Sequence, residues 1–471
     1  MKKILFAIIA VTFLHVGCKP KKEGQERTKL ENGLSNSSQP KDDSNVRDVT
    51  GSRNQGKSKE QFDSFGGSSQ AFGSGEFDEQ KMLDSGGSVS TELMQSQMGQ
   101  RGQYEVYYKT LPMRTSLGRE LNIQVWQPVN KKTTNKEAHY IVAKKVVKLS
   151  INGKIAHWEP PPGFFKEFGE TIADGVKNIG GKIADGLGGI FLTNTAESQS
   201  FPVIVFSHGN TGSGSAMALT HEWLATHGYL ILSINHNGDN IQNVFDGNLI
   251  PHYSKENFEN REDDVLSLLL DLEKADSLLA SKLQNVDKDN IFLMGESFGG
   301  YTVTSSILSK IKNVRGIIGI VPALTNGPSL LTESFYPCLF VTSGLDTQVP
   351  PPETESILNR IENAPVWHAY FPKANHLHFN YTKPLGDKLK LNLKLWNLFK
   401  SIADFDLLLK MYREIDDPNT LDFHRGQVLV NELILGFMNF HIGKTDRSWA
   451  ISREFSSLNP EFDLRIYNYQ N

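Results

Sequence analysis

From about residue 120 onward, short apolar runs recur along the chain, and their period changes as they go. Glu120 to Gln127 alternates Leu121, Ile123 and Val125 with polar residues and stops at Pro128, which predicts a strand with one buried face. Ile141 to Ile151 is a second candidate of this kind. Pro202–Ser207, Tyr229–Ile234, Asn290–Met294, Val314–Val321, Cys338–Ser343 and Val366–Phe371 are instead nearly continuous apolar runs, as expected of strands buried on both faces. Met217–His227 predicts a helix closed by Gly228. Arg261 to Ala280 predicts an amphipathic helix with Val265, Leu268, Leu269 and Leu272 on one face. Another helix is expected after Ser297, through Tyr301 to Lys310. Strands that alternate with helices imply an α/β architecture, a mostly parallel central sheet with helices on both faces. Ligands of such sheets bind beyond the carboxyl ends of the strands.

The N-terminal hundred residues have a different character. Lys2-Lys3 precedes an apolar stretch from Ile4 to Leu14, too short to span a bilayer, and Val16-Gly17-Cys18 follows. This predicts a signal peptide over 1–18 ending in a lipoprotein-type cysteine. Lipidation of Cys18 would anchor the chain to the bacterial cell envelope; an ordinary secretory signal is the alternative. Residues 19–100 are rich in Gly, Ser, Gln and Asn and poor in β-branched residues, so they cannot bury enough apolar surface to offset chain entropy. They read as a disordered tether with an end-to-end distance of about 50 Å. A single folded domain is expected over 101–471. The only other cysteine, Cys338, lies in an apolar run and reads as a small core residue. A net charge of −4 over 471 residues argues against a nucleic-acid partner.

Residues 158–192 form an expected insertion before the third strand. Phe165, Phe168, Ile172, Val176, Ile179, Ile183, Leu187 and Ile190 recur at helical steps, and Ile-Ala-Asp-Gly appears at 172–175 and 183–186. Its glycines each weaken a helix by about 1 kcal/mol, so the segment needs a surface on which to fold. Either that surface is the body of the protein, or the insertion is a lid or a lipid-contact helix.

The chemistry centres on Gly295-Glu296-Ser297-Phe298-Gly299-Gly300, directly after the apolar run that begins at Ile291. G-x-S-x-G at a strand-to-helix turn exposes a nucleophilic serine, although the pentapeptide alone is a weak signal in a glycine-rich chain. A nucleophilic serine needs a base, an acid that orients it, and oxyanion donors. Asp346, in Ser343-Gly344-Leu345-Asp346 at the end of a predicted strand, is the acid candidate; a plain turn aspartate is the alternative. His376 and His378 share the loop after the last strand and compete for the role of base. Phe298 N–H and Asn210 N–H, the latter in Ser207-His208-Gly209-Asn210, are the oxyanion-hole candidates. His208, His236 and Asp239 read as structural groups at strand ends, because no close His pair or HExxH points to a metal.

Taken together, these motifs resemble the platelet-activating-factor acetylhydrolase and dienelactone-hydrolase-like esterases of the α/β-hydrolase superfamily. The residues that carry the resemblance are Phe206-Ser207-His208-Gly209, His227-Gly228-Tyr229, Asn235-His236, Arg261 with Asp264-Val265, the Ser297 motif, Ser-Gly-Leu-Asp at 343–346 and Ala-Asn-His-Leu-His-Phe at 374–379. The resemblance covers about residues 115–450 and includes a late helix from Leu429 to Ile442. It implies an α/β-hydrolase fold, and it selects His376 as the base because Phe379 follows three residues later. Asn235 departs from the acidic residue most relatives carry there. The implied activity is hydrolysis of carboxylic esters, short-acyl or lipid, through a Ser297–His376–Asp346 triad with no cofactor or metal. A lipase, polyester hydrolase or peptidase would use the same residues. A catalytically silent surface binding protein is the competing class.

Overall fold

The computed structural model describes residues 91–129, 200–240, 243, 248–274, 277–283, 285–305, 311, 313–326, 336–358, 360–361, 363–380, 415 and 417–467. The expected signal and Cys18, the tether, the Ile141–Ile151 strand and the 158–192 insertion lie outside the described residues, apart from the tether's last ten.

Nine strands form one mixed, mostly parallel sheet. In chain order they are β1 (Glu105–Arg114), β2 (Glu120–Val129), β3 (Phe201–Ser207), β4 (Leu230–Asn235), β5 (Val286–Glu296), β6 (Val314–Ile320), β7 (Cys338–Ser343), β8 (Val366–Phe371) and β9 (Asp463–Tyr467). Their spatial order is β1-β2-β4-β3-β5-β6-β7-β8-β9. The block from β4 to β8 is parallel, and β1–β2, β2–β4 and β8–β9 are antiparallel. The continuous apolar runs are the parallel strands: every residue of β3 and β7 is buried. Leu121, Ile123 and Val125 face the core as the alternation predicts. β2 continues through Pro128, beyond the expected stop, because pairing with β4 ends at Trp126 and only β1 flanks it there. β1 and β9 lack a strong pattern of their own; each pairs with one neighbour at the sheet's margin.

Helices cover both faces. Val203 and Val205 of β3 share a core with Val265, Leu268 and Leu272 of α3 (Lys255–Glu273). On the opposite face, Phe206 meets His221 of α2 (Ala218–Thr226), and Phe292 of β5 meets Phe437 of α7 (Phe423–His441). The remaining helices are α1 (Thr91–Gln97), α4 (Leu278–Lys282), α5 (Phe298–Thr304), α6 (Pro351–Leu358) and α8 (Arg453–Leu458). Boundaries of three predicted helices move. The helix expected over 261–280 starts at Lys255, where Ser254 Oγ accepts from Asn257 N–H, and it ends where Lys274 turns extended. The late helix likewise starts early, because Asp422 accepts from Arg425 N–H at 2.7 Å. α5 ends at Thr304, short of the expected Lys310, with Ser305 already extended; 306–310 lie outside the described residues. Among the described residues, no helix is long and apolar enough to cross a membrane.

The chain leaves β3 toward β4 on one side and returns for β5 on the other. The carboxyl ends of β3 and β5 therefore flank a topological switch point, the place where open parallel sheets form a ligand crevice.

Candidate active site

β5 runs into α5 through a single residue, Ser297, whose backbone sits at φ 53° and ψ −120°. That region costs a non-glycine residue about 1–3 kcal/mol. The surroundings hold it there. Ser297 N–H donates to Ile320 O at 2.9 Å, and Ser297 O accepts from Ala323 and Gly300 N–H, each at 2.9 Å. The flanking glycines are needed for close approach. A Cβ on Gly295 would strike the Gly299 carbonyl, and one on Gly299 would strike the carbonyl oxygen of Ser207. Thus the turn after β5 lies directly against the end of β3.

The side chain of Ser297 joins a buried chain of polar groups. His376 Nε2 lies 3.0 Å from Ser297 Oγ, and His376 Nδ1 lies 2.6 Å from Asp346 Oδ2. The carboxylate fixes the tautomer: Nδ1–H donates to Asp346, which leaves Nε2 to accept the serine proton. Asp346 Oδ1 is itself fixed by the N–H groups of Gln348 and Val349, both at 2.8 Å. The loops after β7 and β8 are tied together by Gly344 N–H to Phe371 O and Leu345 N–H to Ala374 O, each 2.8 Å. Burial works against a charged His376, but the Asp346 charge and hydrogen bond, helped by Glu296, prevail and raise its pKa above the ordinary value of 6.5.

His378, the rival base, is committed elsewhere. Its Nε2–H donates to Leu421 O at 3.1 Å and its Nδ1 accepts from Asn375 N–H at 2.9 Å. Burial pushes its pKa down to about 4, so the ring is neutral.

The loop after β3 forms the opposite wall. Gly209 N–H donates to Glu296 Oε2 at 3.0 Å, Thr211 N–H to Asp239 Oδ1 at 3.0 Å, and Gly212 N–H to Gly209 O at 3.1 Å. Asn210 N–H and Phe298 N–H have no acceptor among the described residues. The Asn210 carboxamide is also buried, with neither polar atom bonded within the described residues.

A second Ser–His–Asp chain lies beneath this one. Ser207 Oγ is 2.8 Å from His236 Nε2, and His236 Nδ1 is 2.8 Å from Asp264 Oδ2. Burial and the cations Arg261 and Arg119 hold His236 well below its ordinary range. The contacts match a triad, yet Ser207 is fully buried within a regular strand, whereas Ser297 sits on the strained turn with 5% of its surface exposed. His208 closes the group, accepting from His236 N–H at 3.1 Å. Among the described residues, no set of three or more His, Cys, Asp or Glu is placed to hold a metal ion. Cys338 is fully buried within β7.

Two groups at this site carried no assigned role in the sequence. Glu296 is one of the two variable residues of the pentapeptide, and nothing local marks it as the acceptor for a loop 87 residues away. Arg261 is a charge within an apolar stripe, four residues before Val265 and seven before Leu268, and it is 1% exposed.

No family model matches the chain, and no curated protein matches it either.

Proposed function

We propose that this chain is a serine hydrolase of the α/β-hydrolase fold that cleaves carboxylic esters, similar to platelet-activating-factor acetylhydrolase and dienelactone-hydrolase-like esterases. One observation carries the reading: Ser297 Oγ, His376 and Asp346 stand in one hydrogen-bonded chain at 3.0 and 2.6 Å, with the serine on a strained strand-to-helix turn. The chain order Ser, Asp, His is that of the fold. The uncommitted N–H groups of Asn210 and Phe298, and the unpartnered Asn210 carboxamide, suit a site that receives a polar substrate atom.

In this mechanism His376 Nε2 takes the proton of Ser297 as Oγ attacks the ester carbonyl. Asn210 and Phe298 N–H groups stabilise the oxyanion. The tetrahedral intermediate collapses, the C–O bond to the alcohol breaks, and His376 returns its proton to the leaving oxygen. Water, deprotonated by His376, then attacks the acyl-enzyme; the bond to Oγ breaks, His376 returns the proton to Ser297 Oγ, and the acid leaves. Asp346 orients the imidazole and stabilises its charged form. No step requires a cofactor or metal. The proposal extends to the chain's setting: a short-acyl or lipid ester as substrate, and attachment to the cell envelope through Cys18.

The test is turnover of p-nitrophenyl acetate by the full chain, with Ser297→Ala as control. The variant should lose at least about 10⁴-fold in kcat. Equal, slow rates in both proteins would remove the esterase reading and favour a silent binding domain.

A further inference from the structure

Arg261 touches both walls of the proposed oxyanion hole without reaching the triad. It stands on α3 and is almost wholly buried. Its Nε donates to Asp239 Oδ2 at 2.7 Å, Nη1 to His208 O at 2.8 Å, and Nη2 to Gly209 O at 3.1 Å. Its Cζ lies 4.5 Å from the ring centroid of Phe298. A buried ion pair ordinarily does no more than hold a fold together, and often adds little net stability. Here, besides Asp239 and a longer contact of Nη1 to Ser207 Oγ at 3.4 Å, it holds two carbonyls of the backbone that aims the hole.

The argument is one of peptide planarity. In a trans peptide the C=O and N–H of one unit point in opposite directions. The Gly209–Asn210 unit has its carbonyl drawn onto the Arg261 guanidinium, with His208 Nδ1 at 2.7 Å on the same oxygen. Its N–H, that of Asn210, must therefore point away from Arg261. The unit before it is pinned at both ends: His208 O on Arg261, Gly209 N–H on Glu296. The unit after it is fixed by Thr211 N–H on Asp239 Oδ1, the same carboxylate that holds Arg261 Nε. Thr211 takes up a positive φ of 52° to make this bond. On the other wall, the guanidinium covers the ring of the residue whose N–H is the second donor.

We infer that Arg261, braced by Asp239, is a positioning residue that aims the Asn210 N–H and seats Phe298, so that both oxyanion donors are set by one guanidinium. This rests on the hydrolase reading above. Only arginine fits the role. A lysine ammonium keeps the charge, but it is a compact point donor that cannot bridge a carboxylate and two carbonyls in a fixed fork while stacking on a ring. Misplacing an aligned donor by about 1 Å costs on the order of 10² in rate.

The test compares Arg261→Lys with wild type, each as the full chain, on p-nitrophenyl acetate and with an alkyl boronic acid as a tetrahedral analogue. The variant is expected to lose about 10²-fold in kcat and a similar factor in boronate affinity, with KM within about threefold and the pH profile unshifted. A purely structural arginine would lower thermal stability but leave the kcat-to-KM split untouched. Two further variants guard against misfolding. Asp239→Asn/Arg261→Gln removes both charges together, and Phe298→Leu keeps every charge and every backbone donor; both should show the same kcat-selective loss. Wild-type kcat in a folded Arg261→Lys, or in the folded alternates, overturns the inference alone. A wild type without Ser297-dependent turnover overturns the hydrolase reading and this inference with it.

Discussion

Gly299 rests its Cα against the carbonyl oxygen of Ser207, leaving no space for a methyl group between the first turn of α5 and the end of β3. Both partners are backbone, so no side chain can swing aside. Gly299→Ala is expected to cost about 3 kcal/mol, read as a lowered urea midpoint, because overpacked sites shift main chain at roughly that penalty. An unchanged midpoint would mean that β3 and α5 are not in contact.

Ser297 holds φ 53° at a turn where glycine would be unstrained. Ser297→Ala removes the hydroxyl and keeps the strain, whereas Ser297→Gly removes both. Relief of about 1–3 kcal/mol, less the glycine's extra chain entropy of up to about 1 kcal/mol, should leave the glycine variant more stable than the alanine variant by about 1 kcal/mol. Both should be inactive. Thermal melts of the pair decide it; equal stability would argue against a strained serine.

The pH dependence of kcat/KM reports the free-enzyme base. The base must be neutral to act. Burial disfavours its charge, but Asp346 and Glu296 together raise the His376 pKa, so the acidic limb should lie above pH 6.5 rather than at it. Asp346→Asn leaves burial with less opposition. Its limb should move to lower pH, and its rate should fall by about 10⁴-fold. The same shift has a stability consequence: the folded state favours the charged ring, so this contribution is complete below pH 6.5 and disappears as pH rises through the folded pKa. A variant limb unmoved or moved upward would contradict the assignment.

His221 packs edge-on between Trp126 and Phe206, with ring centroids at 4.7 and 4.5 Å, and neither ring nitrogen has a partner among the described residues. Burial pushes its pKa down to about 3. The unfolded chain takes up this proton below pH 6.5 and the folded chain does not. Stability is therefore full above pH 6.5 and falls toward pH 3, by about 1.4 kcal/mol per pH unit for this one group. His221→Phe keeps the ring contacts and removes the titration. Urea unfolding at pH 7 and pH 5 should show a shallower acid loss in the variant; an identical slope would place His221 in contact with water.

Much of the architecture is written locally. A strand buried on both faces is apolar at nearly every position, so β3, β4, β7 and β8 stand out as nearly continuous runs, broken by few polar residues such as Ser233 and His368. β1 and β9 do not, because a strand with a single neighbour tolerates exposed and polar positions. The start of α3 was missed because its first turns are polar, and its cap, Ser254, precedes the apolar face.

For the site, the order of motifs along the chain determined a great deal: the strand-to-helix turn at Ser297, an aspartate and a histidine after later strands, and a glycine loop after β3. These are local demands of backbone geometry, legible wherever Gly, Asp or His closes an apolar run. What only the tertiary structure supplies is the set of partners that separates groups of similar local pattern, although for His376 the resemblance through Phe379 already points the same way. His376 and His378 differ in which partners lie nearby, Asp346 and Ser297 for the first, Leu421 O and Asn375 for the second. Ser297 and Ser207 each have a His–Asp pair, and they differ by strain and exposure. The roles of Arg261 and Glu296 are not legible in the sequence, although both belong to the motifs that carry the resemblance, because their partners lie 52 and 87 positions away. A hydrogen bond across such a distance leaves no period in the sequence; it exists only once the parallel sheet has brought the carboxyl ends of β3 and β5 side by side.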